Sequence, residues 1–186
     1  MRKYSKTARV FSRMITYRLL DYKDLDEKEC LMFDAALAAR VNAQAPYSNF
    51  KVGASVLSEE GAIYSGCNIE CADYRAIHAE EHAIGSMIRW GSKKIVKLAF
   101  VAAKAEVDIK ILQAKVPKNF FKFVNIPVPC GGCLQKIWEN CHGDGSVELY
   151  SFSQSLGCIT RVTLDNAFPL KFGPNDLGVD YSQLNR

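Results

Sequence analysis

The stretch His78-Ala79-Glu80, followed later by Pro129-Cys130-Gly131-Gly132-Cys133, decides how the rest of the chain is read. One imidazole and two thiols are ligands of the kind zinc takes, and three protein ligands leave the fourth tetrahedral position open to water. Glu80 is not needed as a ligand. Its carboxylate, just beyond the histidine, is free to handle that water's protons.

The spacing supports this chemistry. Cys130 and Cys133 are three apart, which puts both sulfurs on one side of a helical turn. Pro129 ahead of them fits a helix start, where partial positive charge and free N–H groups favour thiolate over thiol. Taken alone, Cys-x-x-Cys is weak, since it also describes a redox pair or a chance pair. Taken alone, His-Ala-Glu is weaker still. A purely structural zinc would want a fourth ligand from Cys71, Cys141 or His142, but the last two fall toward the far end of the helix that Cys130 opens. Two thiolates and a neutral histidine cancel the charge of zinc. A third thiolate would leave the site negative and weaken the acidity of bound water, and such a site would benefit from a nearby arginine. Glu81 stands where that arginine would help, and with histidine as third ligand the compensation is less necessary.

Working outward, apolar Leu25, Leu31, Met32, Ala35, Ala36 and Ala39 recur at three and four residues and predict a helix over Asp24 to Ala45, stopped by Pro46. Val52 to Leu57 reads as a strand, Ser58-Glu59-Glu60-Gly61 as a hairpin loop and Ala62 to Cys67 as a second strand. A helix is predicted from Asp73 to about Trp90, with Gly91 as its stop. Lys97 to Ala103 is a strongly apolar strand, Cys130 to about Cys141 a helix, and Val147 to Phe152 and Ile159 to Leu164 are strands. Strands alternating with helices predict the α/β class, a three-layer α/β/α sandwich with a mixed sheet of about five strands. Residues 104–128 stand apart as an irregular insertion. Lys104, Lys110, Lys115, Lys118 and Lys122 are spaced there among Ile109, Ile111, Leu112, Phe120, Phe121 and Phe123.

Composition narrows the class. The 186 residues suit one domain, 25–186, with an appended N-terminal extension, 1–24. Apolar residues are 48% and charged residues 24%, as in an ordinary soluble protein, and no apolar run approaches a membrane span. A net charge of +4 does not by itself argue for nucleic acid. Seven cysteines, an odd number without a secretory signal, disfavour a disulfide framework and point to a reducing, cytoplasmic setting. The extension carries seven Lys or Arg and no acid before Asp21, with Val10, Phe11, Met14 and Ile15 at helical spacing. It reads as a surface helix or mobile arm, with an organelle transit peptide as the alternative.

Together the two opening motifs match the zinc deaminase signature H-x-E…P-C-x-x-C. The chain as a whole resembles the cytidine deaminase family, of the kind acting on free nucleosides. Ala45 to Ala54, including Phe50-Lys51-Val52-Gly53, is similar to that family's entry to its first strand, and Gly66-Cys67-Asn68-Ile69-Glu70 to its ribose-binding segment. Phe168-Pro169 and Phe172-Gly173-Pro174-Asn175-Asp176-Leu177 resemble its C-terminal tail. The resemblance implies that Asn68 and Glu70 hold the ribose hydroxyls, that Phe50 packs near the nucleoside and that the backbone of Ala79 and Glu80 reads the pyrimidine's polar edge. It also implies a homo-oligomer, dimer or tetramer, with Phe172 reaching a pocket of a neighbouring subunit. Three features depart from the family pattern. The Asn68-to-His78 spacing is short, Cys71 replaces a common asparagine, and residues 81–128 form a longer stretch than the compact enzymes carry. The histidine ligand resembles a longer, dimeric branch with a second, inactive copy of the domain, whereas this length is nearer the small tetrameric branch.

The expected activity is zinc-dependent deamination of cytidine or deoxycytidine with release of ammonia. Two other substrates stay open: cytosine in a polynucleotide, which the basic extension and lysine-bearing insertion permit, and a cytosine nucleoside antibiotic. An inactive zinc-stabilised interaction protein is a further alternative, against which the intact Glu80 counts.

Overall fold

Alternating apolar residues put five strands into one sheet, and the N-terminal extension supplies a sixth. In a computed structural model, residues 11–73, 75–118 and 126–181 are described. In chain order the elements are β1 (Tyr17–Leu20), α1 (Glu27–Val41), β2 (Phe50–Ser58), β3 (Ile63–Cys67), β4 (Ile69–Glu70), β5 (Ala76–Ile77) and α2 (Ala79–Arg89). They continue with β6 (Ile95–Lys104), α3 (Gly131–Asn140), β7 (Glu148–Ser153), β8 (Cys158–Thr163) and α4 (Leu164–Ala167). The main sheet runs β1-β8-β7-β6-β2-β3, and β4 pairs with β5 in a small separate ladder. Among the described strands of the main sheet only β6 and β7 pair in parallel, so that sheet is mixed, as expected.

Successive residues of a strand face opposite sides, and that alternation builds the three layers. Ala54, Val56, Leu98, Phe100, Leu149 and Val162 bury one face against Ala83 and Met87 of α2 and Leu134 and Ile137 of α3. Leu57, Ala99, Val101, Tyr150, Phe152 and Ile159 bury the other against Met32, Phe33 and Ala36 of α1, joined by Ile111 and Ala114 of the insertion. Helix α1 is started by a capping box. Asp26 accepts from the Glu29 N–H at 2.7 Å while the Glu29 carboxylate accepts from the Asp26 N–H at 3.0 Å. The helix lies so close to β2 that a Cβ on Gly53 would stand 2.0 Å from the Ala36 carbonyl oxygen.

Two differences from the sequence reading matter. First, Tyr17–Leu20 is a strand, paired antiparallel with β8 from Tyr17↔Val162 to Leu20↔Ile159, and residues 11–16 are not helical. An unpaired β8 edge would expose a row of hydrogen-bonding groups, and this pairing outweighs the helical spacing of Phe11, Met14 and Ile15; Val10 lies outside the described residues. Second, the helix predicted from Asp73 begins at Ala79. Ala76–Ile77 is instead held extended by Ile69–Glu70, which delivers His78 to the helix cap.

Ile109, Ile111 and Ala114 of the insertion lie on the α1 side, whereas Ile126 packs on the opposite face. Ile111–Gln113 forms a single 3-10 turn. Tyr22 N–H donates to Ala114 O at 3.0 Å, Lys115 N–H to Gly157 O at 2.8 Å and Val116 N–H to Asp21 Oδ1 at 2.8 Å. These bonds tie the insertion to the extension and to the β7–β8 turn. Phe120, Phe121, Lys122 and Phe123 lie outside the described residues.

Candidate metal centre and active-site cleft

His78 and Cys130 are the N-cap residues of α2 and α3, both with extended backbone. A residue at such a cap points its side chain beyond the helix start, so two helices packed side by side with their N-termini adjacent bring their caps together. His78 Nδ1 lies 3.4 Å from the sulfurs of both Cys130 and Cys133. The three donor atoms all fall within 4.8 Å of one another. A tetrahedral zinc at ordinary bond lengths would separate sulfur from nitrogen by about 3.6 Å, so the donor set and its spacing fit that metal.

Among the described residues no fourth histidine, cysteine or carboxylate completes the group. Cys141 is buried at the C-cap of α3, its thiol donating to the Trp138 and Asp144 carbonyls at 3.3 Å each. Cys71 is exposed and stands outside the cluster.

A cleft of about 370 Å³ opens beside these donors, lined by Ser48, Phe50, Val52, Asn68, Glu70, Ala76, His78, Ala79, Glu80, Phe100, Ala102, Val128 and Cys130. Glu80, in the first turn of α2, is only 6% exposed. Burial pushes its carboxyl above the ordinary carboxylate range, against the lowering pull of its own backbone N–H and of His78. Burial and the nearby Glu80 carboxylate push the Cys133 thiol well above its usual range. A divalent cation among these donors reverses that balance, a second respect in which the residues fit a metal.

Glu81, one position on, faces α3. Its Oε2 accepts from the His78 backbone N–H at 3.3 Å, and its Oε1 is paired with Lys136 Nζ. Burial alone would raise its pKa, but the Lys136 and His78 contacts outweigh it and hold it low.

The residues expected to meet the sugar are engaged with the chain itself. Asn68 Oδ1 accepts from Val52 N–H at 2.8 Å, and its Nδ2 donates to Phe50 O at 2.9 Å. Glu70 accepts from the Tyr47 and Ser48 N–H groups at 2.9 and 3.1 Å and from the Ser48 hydroxyl. These bonds lower the Glu70 pKa, Ser48 first. Both residues still border the cleft, as do Phe50 and Ala79. Phe172 does not. It sits outside α3, 58% exposed, its carbonyl accepting from Gln135 Nε2 at 2.8 Å. The cleft's apolar wall of Val52, Phe100, Ala102 and Val128 was not foreseen. Phe100 and Ala102 alternate on β6, so strand periodicity carried the signal, whereas Val128 at the end of the insertion had none.

Residues 26–144 match the profile described as "Cytidine and deoxycytidylate deaminase zinc-binding region". A cytidine deaminase of Sporosarcina psychrophila is 34% identical over 75% of this chain and 87% of its own. One from Halalkalibacterium halodurans is 32% identical over 79% of this chain and 96% of its own. The crystal structure of cytidine deaminase from Burkholderia pseudomallei superposes with a TM-score of 0.57 at 28% identity, covering 77% of this chain and 98% of that one. The chain belongs to the cytidine deaminase family, whose matched region is zinc-binding.

Proposed function

We propose that this chain hydrolyses the exocyclic amine of free cytidine or deoxycytidine, giving the uridine product and ammonia, a step of pyrimidine salvage. The observation that carries the proposal is the buried Glu80 carboxyl beside three donors within 4.8 Å, at one end of a nucleoside-sized cleft. His78, Cys130 and Cys133 would hold zinc, which when bound supplies the Lewis acidity that brings the pKa of water to about 7.

The chain's own groups do the rest. Glu80 takes the proton of the attacking water and delivers it to ring N3. The new C4–O bond forms as N3 is protonated. Glu80 then carries the second proton to the exocyclic nitrogen, the C4–N bond breaks and ammonia leaves. One carboxyl serves as base and then as acid, which requires it to reach both the attacking water and the ring. The N–H groups in the first turn of α2, at Ala79 and Glu80, have no carbonyl partner within the helix and supply donors for the pyrimidine's polar edge. Phe50 offers a face to the nucleoside. Asn68 and Glu70 each keep unused hydrogen-bonding capacity toward the cleft for a sugar diol.

Phe172, exposed and off its own cleft, suits contact with a neighbouring subunit in a homo-oligomer. Free thiols throughout the described chain support a reducing, cytoplasmic setting, and no helix among the described residues is long and apolar enough to cross a membrane. Ammonia release from free cytidine, deoxycytidine and a cytosine-containing single-stranded oligonucleotide tests the reading. Turnover of the free nucleosides is expected; turnover of the oligonucleotide alone would overturn it.

A further inference from the structure

Glu81 and Lys136 play no part in the chemistry above, yet they join the two helices that carry it. Glu81 is the third residue of α2 and Lys136 lies one turn beyond Cys133 on α3. One carboxylate oxygen accepts the backbone N–H of His78, and the other pairs with the Lys136 ammonium. The link therefore runs from the peptide of the imidazole donor to the helix of the two thiol donors. It is also partly shielded: the Glu81 side chain is 23% exposed and that of Lys136 is 52% exposed.

In the core the two helices share the apolar cluster of Ala83, Met87, Leu134 and Ile137, and the ion pair adds a polar link near their N-terminal ends. His78 is held by the β4–β5 ladder before it and by α2 after it, and its distance from Cys130 depends on how α2 sits against α3. An ion pair anchored to the cap peptide itself fixes that distance where it matters. It also places one cation beside the two sulfurs and the Glu81 carboxylate, tempering their mutual repulsion.

From this geometry we infer that the Glu81–Lys136 pair is a positioning brace for the metal donors, setting how firmly zinc is retained. The inference rests on the metal reading of His78, Cys130 and Cys133. Neither residue lines the cleft, so the pair acts through His78 and the α3 turn. Removing outer partners of metal ligands commonly weakens metal affinity by about 10–100-fold.

The test uses zinc-loaded full-length protein and a chromogenic chelator to read the rate of zinc loss. Lys136→Met should release zinc at least about tenfold faster than the unmodified chain. Lys136→Arg should restore slow release, because a guanidinium still reaches the carboxylate. Glu81→Gln should behave like Lys136→Met. The metal-free thermal midpoint of Lys136→Met should match that of the unmodified chain, separating metal retention from general stability. Equal release rates for the unmodified chain and Lys136→Met would overturn the brace alone. An unmodified chain that binds no zinc would overturn the brace and the metal reading together.

Discussion

His78 and Cys130 cap two different helices, and the imidazole Nδ1 of one stands 3.4 Å from the sulfur of the other. That meeting of caps ties the fold to the proposed chemistry. It depends on α2 beginning at Ala79, which depends in turn on Ile69–Glu70 holding Ala76–Ile77 extended. A helix begun several residues earlier would carry His78 inside its first turns and turn the imidazole away from the thiols.

The donor set makes metal removal the first prediction. Chelation should abolish ammonia release, and stoichiometric zinc should restore it. His78→Ala should bind zinc more weakly and not recover under the same conditions. Metal analysis alongside the activity assay checks both.

Gly53 gives a prediction about stability. An added Cβ would meet the Ala36 carbonyl oxygen at 2.0 Å and the Arg40 nitrogen at 2.6 Å, both backbone atoms that cannot rotate aside. Gly53→Ala should therefore cost about 3 kcal/mol through forced separation of α1 from β2. Urea unfolding measures it, and a loss below about 0.5 kcal/mol would show that the helix can shift freely.

The pH dependence of stability should show Glu29. This buried carboxylate accepts from Lys97 Nζ at 2.6 Å and from the Tyr150 hydroxyl at 2.5 Å. Burial raises its pKa, but the Lys97 and Tyr150 bonds and the Asp26 N–H outweigh that, and the net shift is downward. A carboxylate lowered on folding stabilises fully above its unfolded pKa of about 4.3, and the contribution is lost as pH falls through the lower folded value. Glu29→Gln should cost about 2 kcal/mol at neutral pH. Its penalty should shrink below about pH 4. Urea midpoints at pH 7 and in acid, for both proteins, decide it.

Phe172→Ala separates folding from assembly. The ring is largely exposed, so the thermal midpoint of the isolated chain should change by less than about 0.5 kcal/mol equivalent. If a neighbouring subunit's site uses the ring, KM for cytidine should rise roughly tenfold, a loss of about 1.4 kcal/mol. Unchanged KM would remove Phe172 from the substrate site.

How much of this was legible in the chain follows from the range of the forces involved. Val52 to Leu57 and Lys97 to Ala103 show their strands locally, because burial on both faces selects apolar residues regardless of partner. The meeting of His78, Cys130 and Cys133 was legible through ligand chemistry and spacing. Tyr17–Leu20 was not, since a short edge strand is defined by the distant β8 it pairs with. The Glu81–Lys136 pair was equally hidden: each residue reads as an ordinary helical charge until α2 and α3 are set side by side. Asn68 and Glu70 were singled out only through the family resemblance, and their bonds to Val52, Phe50, Tyr47 and Ser48 need the folded loop.

The most direct test compares the unmodified chain with Glu80→Ala, measuring zinc content and ammonia release from cytidine on the same samples. The account predicts one zinc per chain in both proteins and a rate at least about 100-fold lower in the variant. Turnover retained by Glu80→Ala with zinc bound would contradict it.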